Sequence, residues 1–117
     1  MDIRIKRAYE PPASDDGHRV LIDGLWPRGR TKEQVAADEW RRDLAPSAEL
    51  RRWYGHDPER FEEFRRRYTE ELSARPEALD ELRRWARDGR LTLVFGARDE
   101  RHSNARVVAE LLRDDAP

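Results

Sequence analysis

The run Leu91-Thr-Leu-Val-Phe95 constrains this chain more than any other segment, because it is almost uniformly apolar in a sequence of which 42% is charged. A strand apolar at nearly every position has both faces covered, as a central strand of a parallel sheet does. Val20, Leu21 and Ile22 repeat the pattern in shorter form. A turn-rich stretch with Pro11, Pro12, Ser14, Asp15, Asp16 and Gly17 precedes them, and Asp23 ends them. Ile3 and Ile5 alternate with Arg4 and Lys6, which predicts a half-buried strand ending near Arg7.

The remaining elements follow from punctuation. Between Trp26 and Asp43 the pattern is broken by Pro27 and Gly29, and an ordered excursion is expected. Thr31 can cap a short helix reaching Ala37, with Trp40 and Leu44 as anchors. Ser47 is suited to cap a helix presenting Leu50, Trp53 and Tyr54, which Gly55 can end. Asp57 and Pro58 open a longer helix with the stripe Phe61, Phe64, Tyr68 and Leu72. Another is predicted from Pro76 to about Asp88, with Leu79, Leu82 and Trp85 inward and Gly89 after it. Asp99 is expected to cap a final helix burying Ala105, Val108, Ala109 and Leu112.

This order predicts the α/β class: a small, mainly parallel sheet of three or four strands, flanked by helices in a Rossmann-like three-layer arrangement with right-handed crossovers. At 117 residues, 1–117 is read as a single domain. The connection between the first two strands, about ten residues, is short for a parallel crossover and leaves an antiparallel pair open.

Composition removes several function classes. With no Cys there is no thiolate nucleophile, disulfide framework or sulfur-ligated metal site. No stretch approaches the roughly 18 to 20 apolar residues of a membrane span, and no apolar signal region follows Met1, so a cytoplasmic location without membrane attachment is expected. The 24 basic residues nearly cancel the 25 acidic ones, so any anion site must be local. Lys stands only at Lys6 and Lys32; the other cations are Arg, whose forks suit carboxylate and phosphate. Codon bias in a GC-rich genome is the simpler account of that preference, because most of these Arg fall where an exposed helix face needs a charge anyway.

In open α/β sheets ligands bind beyond the carboxyl ends of the strands. The residues there are Arg7, then Asp23, Trp26 and Arg28, then Arg98, Asp99 and His102. If the strands are parallel these converge, with the final helix aiming its N-terminus at the same place. The structural alternative is that Arg7 and Asp23 form an ion pair, Asp99 is an ordinary cap and Trp26 plugs the core. The segment from Trp53 to Pro58, including His56, reads as a helix end followed by a helix start. No His pair has metal-ligand spacing, so no metal is expected, and no elbow supports Ser47 or Ser103 as a nucleophile. The Arg runs at 41–42, 51–52, 65–67 and 83–84 invite a nucleic-acid reading, but Glu62 and Glu63 precede Arg66 and Arg67 by four residues, as on a solvated helix face.

The run from Val20 to Gly29 (Val-Leu-Ile-Asp-Gly-Leu-Trp-Pro-Arg-Gly) resembles the signature of the YeaO-like family, bacterial proteins carrying a domain of unknown function. So do Asp43-Leu-Ala-Pro-Ser47, Trp53-Tyr-Gly-His-Asp-Pro58 and Asp99-Glu-Arg-His102. The resemblance covers essentially the whole chain. It implies a compact α/β domain without an assigned activity, and adds weight to Asp23, Trp26, Arg28, Asp99 and His102. Two departures stand out. The family pattern has Arg where this chain has Gly24, which would remove a cation. It has His-Asn where this chain has His102-Ser103, and more distant relatives carry Cys there, so a thiol role does not transfer.

The expectation is a strand-end pocket for a small anionic ligand bearing phosphate, nucleotide or carboxylate, with or without turnover. Arg7, Arg28 and Arg98 would hold the anion, Trp26 and Asp99 would line the site, and Asp23 and His102 would be the acid/base pair. No cofactor is implied, and the protein is expected as a monomer or homodimer. The alternative is a non-catalytic module binding protein or nucleic acid through its Arg-rich helices.

Overall fold

The structure is a computed structural model and describes residues 1–114. Four strands, β1 (Asp2–Arg7), β2 (His18–Leu21), β3 (Glu39–Trp40) and β4 (Arg90–Phe95), form one sheet in the order β1-β4-β2-β3. Every pairing is parallel, with Ile3 opposite Leu91 and Val20 opposite Leu93. The apolar run Leu91–Phe95 is therefore central, and all five of its residues are buried. The question about the first connection is resolved by position: β1 and β2 are not neighbours, and each lies parallel to β4 on opposite sides. The edge strand β3 was not read from the sequence, because its two residues are too few to show a period.

The helices are α1 (Lys32–Val35), α2 (Ala48–Tyr54), α3 (Phe61–Ser73), α4 (Pro76–Asp88) and α5 (Asn104–Asp114). Thr31 caps α1 in a full capping box with Gln34, and the helix stops after Val35, short of Ala37. Ser47 caps α2, and Gly55 ends it in the left-handed region. The stripe Phe61, Phe64, Tyr68 and Leu72 is buried on α3 as its spacing requires. One face of the sheet, with Val20, Ile22, Leu91, Leu93 and Phe95, packs into the large core with α2 to α5. The other face carries a smaller cluster of Ala8, Leu21, Val35 and Val94, closed by Trp26 and Trp40.

That second face also holds a buried ionic group. The Arg19 guanidinium donates to Asp16 Oδ2 at 2.6 Å and to the Val35 and Ala36 carbonyls. Lys6 Nζ reaches the same carboxylate at 3.1 Å, and Thr92 Oγ1 donates to the Asp16 carbonyl. These bonds fasten the crossing segment 8–17 to β1, β2 and β4. Among the described residues no helix is long and apolar enough to cross a membrane.

Candidate functional site

Because all strands run parallel, the carboxyl ends of β1, β2 and β4 share one side of the sheet, and a cavity of about 260 Å³ opens there. The chain after β2 contributes Asp23, Trp26 and Arg28, the chain after β4 contributes Gly96 and Ala97, and His102 and Asn104 stand at the start of α5. The C-terminal part of α2 contributes Arg51 and Tyr54, followed by His56.

Asp23 sits at the inner end. Its Oδ2 accepts the Gly96 N–H at 2.8 Å and its Oδ1 accepts from Asn104 Nδ2 at 3.0 Å, while Trp40 Nε1 donates to its carbonyl. Burial raises the Asp23 pKa, partly opposed by those two hydrogen bonds and by the charges of His56 and Arg51. A carboxyl with a raised folded-state pKa favours folding below its unfolded pKa, and that contribution is lost as pH rises through the folded value. Asp23→Asn is therefore expected to melt at or above the wild-type temperature at pH 7. A clear drop in melting temperature would mean that the carboxylate is retained for structure alone.

The final helix begins later than expected. Asp99 caps a 3₁₀ turn, Glu100–His102, by accepting the Arg101 N–H, and does not cap α5. Ser103 takes that role: its Oγ accepts the Arg106 N–H at 3.2 Å and donates to the Glu100 carbonyl at 2.9 Å. His102 thus precedes the helix, in the 3₁₀ turn before it. Its Nδ1 lies 2.6 Å from Asp99 Oδ2, and this bond holds the Asp99 carboxyl below the usual range. A carboxylate only accepts, so Nδ1 carries the proton and neutral His102 keeps Nε2 as an acceptor.

Arg7 does not pair with Asp23. Its Nε donates to the Ala97 carbonyl at 2.9 Å and its guanidinium lies 5.2 Å from the Tyr9 ring centre. Arg7, Arg98 and Asp99 are outside the cavity lining, whereas Asp23, Trp26, Arg28 and His102 are within it. Trp26 is both wall and core: it lines the cavity, packs edge-on to Trp40 at 5.3 Å and donates to the Arg30 carbonyl.

Sequence reasoning passed over Arg51, Tyr54 and His56, since helix packing and termination explained them. Tyr54 stacks on Phe64 at 4.2 Å and donates to the His102 carbonyl at 2.6 Å; burial, then Asp99 and Asp57, push its hydroxyl up to about 12. His56 has φ 56°, a left-handed conformation that a non-glycine residue adopts at a cost. Arg51 answers the departure at position 24: a Cβ on Gly24 would stand 3.3 Å from Arg51 Nη1, so a cation is already beside that position.

A family model described as the inactive DUF488-N3 subclade matches residues 2–116. The chain belongs to this family. An uncharacterized protein of Mycobacterium tuberculosis (strain ATCC 25618 / H37Rv) is 46% identical over 110 residues, covering 94% of this chain and 92% of its own. The uncharacterized protein YeaO of Escherichia coli (strain K12) is 37% identical over 113 residues, or 97% and 98% of the two chains. The resemblance carried by the motifs is thereby borne out. No solved structure matches. The segment from Trp53 to Pro58, read from sequence as a helix boundary, supplies His56 to the cavity in this fold.

Proposed function

We propose that the cavity binds a small anionic ligand, one bearing a phosphate, nucleotide or carboxylate group, and does so without turnover. The observation that carries this reading is the state of the arginines. On α3 they are matched with acids: Arg65 with Glu62 and Glu110, Arg66 with Glu63 and Glu70, Arg67 with Glu63. Arg28 and Arg51 line the cavity, and among the described residues neither makes a side-chain hydrogen bond or ion pair. Unmatched guanidinium groups around a concavity are what an anion needs.

Three features support binding over chemistry. The family is described as inactive. The chain has no Cys. Ser103 Oγ is committed to the helix cap. Asp23 and His102 then serve as polar contacts. A cytoplasmic location suits a chain without Cys. The interaction-module alternative draws less support, because the Arg runs of α3 are neutralised within the molecule.

The test is a thermal-shift panel of inorganic phosphate, nucleotides, sugar phosphates and small carboxylates. A ligand at about 100 times its Kd stabilises by roughly 2.7 kcal/mol. The expected result is a shift in the wild type that Arg28→Ala and Arg51→Ala both diminish. A panel without any shift, or a shift indifferent to both substitutions, sinks the proposal.

A further inference from the structure

The two ends of the cavity differ chemically. At the inner end each Asp23 oxygen accepts one hydrogen bond from the protein, from Gly96 N–H and from Asn104 Nδ2, so each retains a lone pair. Half-buried Arg51 lines the same cavity and brings an uncommitted fork of donors. An acceptor carboxylate with a guanidinium nearby complements a ring edge on which an N–H adjoins a carbonyl, since the N–H donates to the first and the carbonyl accepts from the second. Tyr54, Phe64 and Trp26 supply flat apolar walls for such a ring.

At the outer end the cations gather. Arg28 is exposed at the mouth. The Tyr9 ring, which also lines the mouth, has the Arg7 and Arg30 guanidinium groups 5.2 and 5.4 Å from its centre. Among the described residues neither Arg7 nor Arg30 pairs with a carboxylate, and Arg30 Nε is buried without a hydrogen bond. Three forks without acids favour a dianionic phosphate over a carboxylate. The volume of about 260 Å³ is room for roughly nine waters at about 30 Å³ each. That accommodates one heterocycle.

Resting on the reading of this cavity as an anion site, we propose that its ligand is a nucleoside phosphate whose base carries a ring N–H beside a carbonyl, as in guanine, hypoxanthine or uracil. The base lies against Asp23 and Arg51, and the phosphate lies at Arg28, beside the Tyr9 ring that Arg7 and Arg30 flank.

Calorimetric titration of the full chain with guanosine, uridine and adenosine 5′-monophosphates and with ribose 5-phosphate tests this. The guanosine or uridine nucleotide should bind at least about tenfold more tightly than both the adenosine nucleotide and ribose 5-phosphate, the discrimination expected of a matched hydrogen-bonded edge. Asp23→Asn should cut that advantage to about twofold or less while leaving ribose 5-phosphate unaffected; if that variant fails to fold, Arg51→Gln should cut the advantage to the same extent, on top of the general weakening expected for loss of a cavity cation. Arg28→Ala should weaken every probe. Ribose 5-phosphate binding as tightly as the nucleotides, or a preference for the adenosine nucleotide, overturns the base assignment and leaves the anion site standing. No binding by any probe overturns both.

Discussion

Replacing Gly17 with alanine should destabilise the protein by about 3 kcal/mol or more, lowering the melting temperature by on the order of 10 °C for a chain of this size. Gly17 has φ +70°, and a Cβ there would lie 2.2 Å from the Arg90 carbonyl oxygen and 2.8 Å from Arg90 Cβ. The obstacle is the backbone of the central strand, which cannot swing aside as a flexible side chain would. Gly29 separates the two penalties, because its φ is +77° but nothing lies within 4 Å of its would-be Cβ. Gly29→Ala therefore meets only the left-handed backbone cost, about 1 to 2 kcal/mol. Urea denaturation of both variants measures the difference, and equal losses would show that close packing against β4 is not what position 17 requires.

The second large effect is expected at Asp16. Asp16→Ala leaves the Arg19 guanidinium, whose side chain is only 5% exposed, without its carboxylate, and removing one partner of a buried ion pair costs about 3 to 5 kcal/mol. That is a substantial part of the roughly 5 to 15 kcal/mol that holds a domain together. The effect has a pH signature. Burial alone would raise the Asp16 pKa, but the Ala13 N–H and the hydrogen bonds from Lys6 and Arg19 outweigh it and hold the value below the usual range. A depressed carboxyl contributes fully above its unfolded pKa, about 3.9, and loses that contribution as pH falls through the folded value. The wild type should thus lose stability in acid more steeply than Asp16→Ala does. Parallel curves between pH 5 and pH 2, on the order of that window, would mean that the ionic group is not what anchors the crossing segment.

What the sequence made legible is what period and punctuation encode. The α3 stripe, the Ser47 cap and the buried Leu91–Phe95 run each follow from a local rule, and each stands where that rule puts it. The strand-end principle led to Asp23, Trp26, Arg28 and His102 because it needs only strand positions and a parallel sheet. Arg51 and His56 were hidden for a physical reason. Their local duties, a helix face and the turn after it, account for them completely, and only the folding of α2 over the strand ends brings them to Asp23. Asp99 was misplaced by one element, since an N-cap looks the same in sequence whether a 3₁₀ turn or an α-helix follows. The sign that was available at His56 is its place after a helix-ending Gly55, where the chain stays left-handed for a second residue.

The strand at the centre of the sheet is also the last strand in the chain, and this sets the timing of folding during synthesis. Until Arg90–Phe95 emerge, β1 and β2 have no common neighbour, since each pairs with β4 and not with the other. Nor does Asp23 have the Gly96 amide that holds it. A ribosome adding about 5 to 20 residues per second thus holds most of this chain as amphipathic segments for several seconds before its sheet can close. A nascent protein arrested before position 90 would lack β4 and the cavity beside it, and so would offer its apolar helix faces to chaperones.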